Sequence, residues 1–198
     1  MGNQGEGVYD SEIFDAVSAL RSGASAWSDW RASRSREVLT LNGLHLGGEL
    51  SAVSIDLDQP YDCYLKEYDF SEVRFVRCRF EDCDFRGTTF AGSTLTECEF
   101  RRCNLEGASF SGTVVLQTSI VLCEVSGCSF HGAELGDSAL LKLDLAGTLG
   151  LSGRSVRFAS SVGVDTLVRT LASRPSLDGS LQDFFIANGV PARYLRTE

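Results

Sequence analysis

Seven cysteines and two histidines are the side chains in this 198-residue sequence whose types invite chemistry near neutral pH. The thiols are Cys63, Cys78, Cys83, Cys98, Cys103, Cys123 and Cys128, all separated by multiples of five, and Cys63, Cys83, Cys103 and Cys123 stand twenty residues apart. Thiolates at a fixed spacing suggest a metal ladder, disulfides or a nucleophile. A nucleophile needs a base, yet no Cys-His or Ser-His-Asp pairing can be built from the positions of His45 and His131. The sequence also has no phosphate-binding loop, no His-x-x-x-His element and no pair of carboxylates in a catalytic motif. The chain reads as a non-enzyme with no cofactor.

The thiols are placed by a longer pattern. From residue 63 to 147 a large apolar residue falls on every fifth position: Leu65, Phe70, Phe75, Phe80, Phe85, Phe90, Leu95, Phe100, Leu105, Phe110, Val115, Ile120, Val125, Phe130, Leu135, Leu140 and Leu145. A smaller residue mostly sits two places before each, and every cysteine occupies that slot. A period of five fits neither helix nor strand, and short fixed-period similarity marks a solenoid whose units bury their apolar faces by stacking. If the small and the large residue both point inward, the remaining residues turn a corner, and four corners close one coil of twenty residues. Gly87, Gly92, Gly107, Gly112, Gly127, Gly132 and Gly147 fall two places after a large residue, where a corner favours positive φ.

This geometry answers the thiol question. Residues twenty apart stack in one column at about 4.8 Å. Four sulfurs in such a line cannot surround one zinc at about 2.3 Å. Their Cβ atoms also stand farther apart than the roughly 3.8 Å of a relaxed disulfide. Cysteine here is a small buried filler, no metal is expected, and an odd number of inward thiols suits a reducing, cytoplasmic setting.

Segments such as Cys83-Asp84-Phe85-Arg86-Gly87, Cys103-Asn104-Leu105-Glu106-Gly107 and Leu143-Asp144-Leu145-Ala146-Gly147 resemble the pentapeptide repeat family, whose units read roughly Ala-Asp/Asn-Leu-x-x. The resemblance implies an all-β solenoid, a right-handed quadrilateral β-helix. It does not fix a function, since one fold serves many roles. A second resemblance lies upstream: Leu20-x-x-Gly23-x-x-x-Trp27-x-x-Trp30-Arg31 looks like a leader found ahead of the repeats in some bacterial members, with Ser28 where those leaders commonly have Asn.

The flanks divide the chain further. Residues 1–36 read as a flexible lead (1–10) and a capping helix from Ser11 onward, with Ile13, Val17, Leu20, Ala24 and Trp27 at helical spacing, Asp10 or Ser11 as N-cap, and Gly23 weakening it by about 1 kcal/mol. Trp27 and Trp30 either cover the open N-terminal end of the solenoid or form a docking site. Residues 37–62 read as a degenerate first coil, with Leu50 and Ile55 in phase and Asp58 and Pro60 breaking the inward slots. After the repeats of 63–147, residues 148–198 read as a C-terminal cap or subunit contact with two short helices, over 165–171 and 180–188, the second with Ser180 as N-cap and Gly189 as its stop. Asp183-Phe184-Phe185-x-x-x-Gly189-Val190-Pro191 resembles the junction that precedes a Toll/interleukin-receptor-type signalling domain in some multidomain pentapeptide repeat proteins, which would make the chain a fragment.

Charge bounds the partners. The net charge is −9, made of −5 over residues 1–60, −6 over 61–147 and +2 over 148–198, so direct binding to nucleic acid is not expected. No apolar run approaches eighteen residues and the N-terminus lacks a signal-peptide pattern, so neither membrane span nor secretion is expected.

Function therefore rests on outward positions. One column runs Asp84, Asn104, Glu124, Asp144, either an ordinary solvated face with turn-forming residues or a ladder of charge that mimics a nucleic-acid backbone. The family resemblance makes the second concrete, because some members bind DNA gyrase and related topoisomerases and protect them from quinolones. Arg74, Arg77, Arg79, Arg86, Arg101 and Arg102, scattered among the acids, depart from a uniformly negative rod. A second feature is apolar: Val114, Leu116, Val121, Leu122 and Leu141 point outward around one edge, where the helix over 180–188 or a second subunit is expected to cover them. The sequence favours a protein-protein interaction or scaffold module, binding a protein partner or a second copy, with the topoisomerase-binding DNA mimic as the alternative.

Overall fold

A large side chain on every fifth residue can always be buried only if the backbone corners after each one. The computed structural model describes residues 11–34, 38–47, 63–157, 160–174 and 176–195, with side chains from Phe14 onward. Within it the chain winds as a four-sided parallel β-solenoid of about five turns. The first face stacks strands Thr40–Asn42, Arg74–Val76, Thr94–Thr96, Val114–Leu116 and Glu134–Gly136. The second stacks His45–Gly47, Arg79–Glu81, Glu99–Arg101, Ser119–Val121, Ala139–Leu141 and Ser161–Val162. The third face pairs Cys63–Tyr64 with Cys83–Asp84 and continues through single bridges to Asn104 and Glu124. The fourth runs Asp69, Thr89, Ser109, Ser129, Leu149. All the large beat residues are buried, and the phenylalanines stack along the axis, Phe90 on Phe110 at 4.9 Å and Phe110 on Phe130 at 5.1 Å between ring centroids.

The corners come in two kinds. On the third and fourth faces the N–H three residues after the large one donates back to its carbonyl, as Ala108 N does to Leu105 O at 2.9 Å. The third residue of such a turn has positive φ, and from Gly87 on it is glycine, Gly107 at 67° for example. The first and second faces are three-residue strands whose corners from Arg77 on also take positive φ, but at eight non-glycine residues, Leu122 at 58° for example; Glu67 and Glu72 hold the same conformation at the third- and fourth-face corners of the first coil. Gly147 does not share this conformation. A Cβ there would sit 3.1 Å from Ser126 Oγ, so the glycine permits a close approach between coils.

The inward slot has its own rule. Its hydroxyl or thiol donates to the carbonyl of the large residue twenty-three positions earlier: Thr113 Oγ1 to Phe90 O at 2.8 Å, Ser138 Oγ to Val115 O at 3.3 Å, Cys103 Sγ to Phe80 O at 3.3 Å, Cys128 Sγ to Leu105 O at 2.8 Å. Small size alone does not describe the slot; a short donor that reaches the next-lower coil is what recurs.

The first coil departs from the sequence reading. Leu41 pairs with Phe75 and Leu46 with Phe80, thirty-four residues apart where each later step is twenty, so fourteen residues are inserted between the second and third faces of this coil. Cys78 and Cys83 confirm the jump, reaching back thirty-seven residues to Leu41 O and Leu46 O. Leu41 and Leu46 thus hold the places expected for Ile55 and Pro60. Those two, with Leu50 and Asp58, the lead 1–10, the Asp10 cap and the side chains of Ser11 and Ile13, lie outside the described residues.

At the other end coil pairing runs past Gly147 with a loosening register: Leu149 on Ser129, Val156 on Leu135, Val162 on Leu140. The N-terminal helix expected as one piece is two, α1 (Ser11–Arg21) and α2 (Ala24–Ala32), broken at Gly23, whose φ of 105° no helix accommodates. The tail forms α3 (Val164–Ser173) and α4 (Gly179–Ala187). The N-cap of α4 is Asp178 rather than Ser180, its side chain accepting from Leu181 N, and Gly189 ends the helix at φ 86°.

Candidate interaction surface

Two tryptophans close the N-terminal end. Trp27 is fully buried, its ring meets Phe70 edge-on at 5.2 Å, and its Nε1 donates to Asp69 O at 2.6 Å. Arg31 Nη2 donates to Ser71 O at 2.9 Å, so the two N-terminal helices satisfy two carbonyls of the lowest described coil, at Asp69 and Ser71. Tyr68 returns the contact by donating to Leu20 O at 2.8 Å. Trp30 stacks on Trp27 at 5.2 Å, stays half-buried, and carries the Arg34 guanidinium 4.5 Å above its ring. The Leu20, Trp27 and Arg31 positions of the leader motif thereby acquire a shared physical task, sealing a solenoid end.

The acidic column lies on the third face, where each member serves a turn. Asp84 Oδ1, Asn104 Oδ1, Glu124 Oε1 and Asp144 Oδ1 each accept the N–H two residues on, at 3.1, 2.9, 3.0 and 2.9 Å. Asp69, Thr89 and Ser109 do the same on the fourth face. Asp84 is not solvated as its outward register suggests. It is 1% exposed, and Arg86 closes over it with Nε to Oδ1 at 2.9 Å and Nη2 to Oδ2 at 2.7 Å. Burial alone would raise its pKa; the Arg86 hydrogen bonds and charge outweigh that and hold the carboxyl below its ordinary value. Asn104 and Asp144 are half-buried, Glu124 is exposed, and Ser173 of α3 donates to Asp144 Oδ2.

Other arginines of the rod are paired across coils. Arg79 meets Glu99 at 2.9 Å, Arg101 meets Glu81 at 3.5 Å, and Arg102 reaches Glu81 and Asp82, each at 2.7 Å. Between the coils that hold residues 79–81 and 99–101, each outward position of the second face thus sets opposite charges one coil apart. No uniformly negative surface results there.

The apolar edge lies on the first and second faces. Val114, Leu116, Val121 and Leu141 are half-buried, and Leu122, at a corner with φ 58°, is 40% exposed. Part of that cover is internal: Val121 and Leu141 are in register, and Gly136, above Leu116, is itself buried. The tail meets this edge at Gly163, where a Cβ would lie 3.1 Å from Leu141 Cδ2. The expected cover, α4, packs on the 3-10 turn Gly153–Ser155 and buries Leu181, Phe184 and Phe185 there.

The thiols are structural donors. Cys63 is half-buried and the other six are buried, none in a disulfide. Among the described residues no group of three or more His, Cys, Asp or Glu side chains could hold a metal ion. Burial pushes the Cys128 thiol up to about 12 and Cys123 well upward.

Residues 61–130 match the family model for a pentapeptide repeat region. Among solved structures the chain is similar to a pentapeptide repeat protein from the Arabidopsis thaliana thylakoid lumen, at 20% identity over 67% of this chain and 86% of that one, with a TM-score of 0.30. It is similar to Rfr23 from the cyanobacterium Cyanothece 51142, at 14% identity over 64% and 86%, TM-score 0.26. A third likeness is to full-length QnrB1, a plasmid-mediated fluoroquinolone resistance protein, at 16% identity over 69% and 97%, TM-score 0.20. No curated protein matches the chain. Likenesses at these identities and scores say nothing of function.

Proposed function

Since residues 61–130 of this chain are a pentapeptide repeat region, we propose that it works as a non-enzymatic protein-protein interaction or scaffold module, its rod presenting variable outward side chains to a protein partner. The core and the backbone are consumed by the fold itself, through coil-to-coil hydrogen bonds and inward donors. What varies from coil to coil is outward. The observation that carries the reading is the apolar edge, where Leu122 stands 40% exposed on a corner beside Val121, flanked by Leu116 and Leu141. Exposed apolar side chains clustered on a polar rod are the material of an interface. The seven thiols outside disulfides fit a reducing, cytoplasmic compartment, where we place the protein.

The test is capture of partners from cytosol by the wild-type chain and by Leu122→Asp and Leu116→Asp. We expect the captured set to shrink in the variants at unchanged fold. Identical partners, with identical oligomer size, would remove this reading.

A second reading is protection of a type II topoisomerase by occupying its DNA groove, as the DNA-mimic idea requires. It draws on residues 103–147, which hold five acids and one base, with Glu106 and Glu124 exposed. The buried Asp84 and the paired second face limit it to that half of the rod. A gyrase supercoiling assay with a quinolone, with and without micromolar protein, decides: no change in inhibition removes it.

A further inference from the structure

Four of the thiols stand in one column. Cys63 is in register with Cys83, and the bridges from Asp84 to Asn104 and from Asn104 to Glu124 carry that register on to Cys103 and Cys123. Cys83, Cys103 and Cys123 also share a side-chain conformation. Each Sγ lies 3.4 Å from the carbonyl oxygen two residues earlier and 3.3 to 3.5 Å from one on the coil below. Equivalent sulfurs therefore follow one another at the coil spacing of about 4.8 Å.

Such a line excludes a tetrahedral ion but suits a two-coordinate one. Two metal–thiolate bonds of about 2.3 Å laid end to end span about 4.6 Å, close to the step of the column. Thiolate ligands select soft ions, copper(I) among them. Access then separates one pair from the rest. Cys103 and Cys123 are buried, whereas Cys63 is half-buried and lines a cavity of about 280 Å³ between α1 and the first coil, together with Leu20, Arg21, Leu46, Tyr64 and Tyr68. Its register partner Cys83 is fully buried, and hydrogen bonding to the thiols of Cys103 and Cys63, with burial behind it, pushes the Cys83 thiol upward.

We propose that Cys63 and Cys83 form a two-coordinate site for a soft monovalent ion, copper(I), held between adjacent coils and loaded through the cavity that Cys63 lines. Binding releases both thiol protons and forms two sulfur–metal bonds, so the site passes from neutral to one negative charge. Arg21, exposed at the same cavity, is the cation at hand to balance it. The site stands apart from the apolar edge of the rod and does not depend on the partner-binding reading.

The test is anaerobic titration of the reduced full chain with copper(I) against a colorimetric copper(I) chelator, with the ligands read by X-ray absorption at the copper edge. We expect one copper(I) per chain, two sulfur neighbours, an unchanged mass in sedimentation and protection of Cys63 from maleimide. Zinc(II) should not compete, because a line of sulfurs offers it no tetrahedron. Cys63→Ser and Cys83→Ser should each weaken binding by more than the roughly hundredfold that loss of a merely supporting group costs, and Cys123→Ser should leave it unchanged. Serine keeps a short donor in the slot, as Ser138 does in its own column, and urea midpoints check that the variants fold. A Cys83→Ser chain that binds copper(I) as tightly as wild type overturns the proposal, since Cys63 would then act as a lone thiol. So does a wild type that does not compete with the chelator, a copper with three or more sulfur neighbours, or a copper that joins two chains.

Discussion

Asp84 and Arg86, two residues apart on the third face, form a two-pronged ion pair in which the carboxylate is 1% exposed and the guanidinium covers it from solvent. The backbone N–H of Arg86 adds a third bond to the same carboxylate, so removing the arginine side chain strands a buried charge on a single donor. We expect Arg86→Ala to cost about 2 kcal/mol in urea denaturation. Asp84→Asn should cost less, because Asn104 makes the same turn bond one coil on. The folded carboxyl has a lowered pKa, so its contribution is present above the unfolded value of about 3.9 and is lost as pH falls through the folded one. The gap between wild type and Arg86→Ala should then narrow below about pH 4. Equal stabilities at neutral pH would show that the pair contributes nothing.

Trp27 offers a separation of shape from hydrogen bonding. Trp27→Phe keeps most of the buried ring but loses the donor to Asp69 O, and should cost about 1–2 kcal/mol. Trp27→Ala removes the plug over Phe70 and should cost about 4 kcal/mol. Trp30→Ala, at a half-buried ring, should cost about 1 kcal/mol. Comparable losses at Trp27 and Trp30 would mean that the two rings seal the end together and the hydrogen bond is incidental.

The core of this fold was legible because burial enforces period five on every coil from Leu65 to Leu145, and no other element produces that beat. The first coil was not, because apolar residues occur in two phases before residue 63: Leu50 and Ile55 keep the later phase, whereas Leu41 and Leu46, which pair with Phe75 and Phe80, are out of it by one. An insertion that is not a multiple of five hides its own register. The Asp84 burial was hidden for a different reason. Register fixes which way a Cβ points, but a carboxylate that accepts the N–H two residues on folds back over the turn, and an arginine at that same distance can close over it. Arginine two after aspartate on a turn face was the available signal. The roles of Thr166 and Thr170 in α3, which accept from Leu143 N and Leu145 N, were not legible either, because the apolar spacing of Leu167 and Leu171 marks a helix face but gives no signal for hydroxyls buried beside it.

The inward thiols should be slow to react in the native state. A maleimide reagent should leave the six buried cysteines largely unmodified while all seven react in denaturant. Raised thiol pKa values also set a sign for alkaline stability. Above about pH 8.5 the unfolded thiols of Cys123 and Cys128 ionise while the folded ones, raised by burial, stay protonated, so at these two sites the unfolded state binds fewer protons and their contribution to stability falls with rising pH. For Cys128 that window runs up to the folded value of about 12. Cys128→Ser keeps a donor to Leu105 O and should flatten this slope, read as the pH dependence of the urea midpoint. A slope unchanged by Cys128→Ser would assign it to other groups.

Ser93 breaks the inward rule. Its hydroxyl is buried without a hydrogen-bond partner, the one such side-chain oxygen or nitrogen among the described residues. One coil above, in the same column, Thr113 donates to Phe90 O at 2.8 Å, so the corresponding acceptor for residue 93 is Phe70 O. The γ-methyl of threonine restricts the rotamer in a way that serine does not. Ser93→Ala removes an unsatisfied polar atom and should stabilise the rod by up to about 1 kcal/mol. Ser93→Thr should also stabilise it, by making the bond that Thr113 makes, provided the extra methyl fits beneath the phenylalanine stack. Urea midpoints of the two variants separate the causes: a gain in alanine alone indicates a full core, whereas a loss in alanine would mean that the Ser93 hydroxyl is bonded in solution.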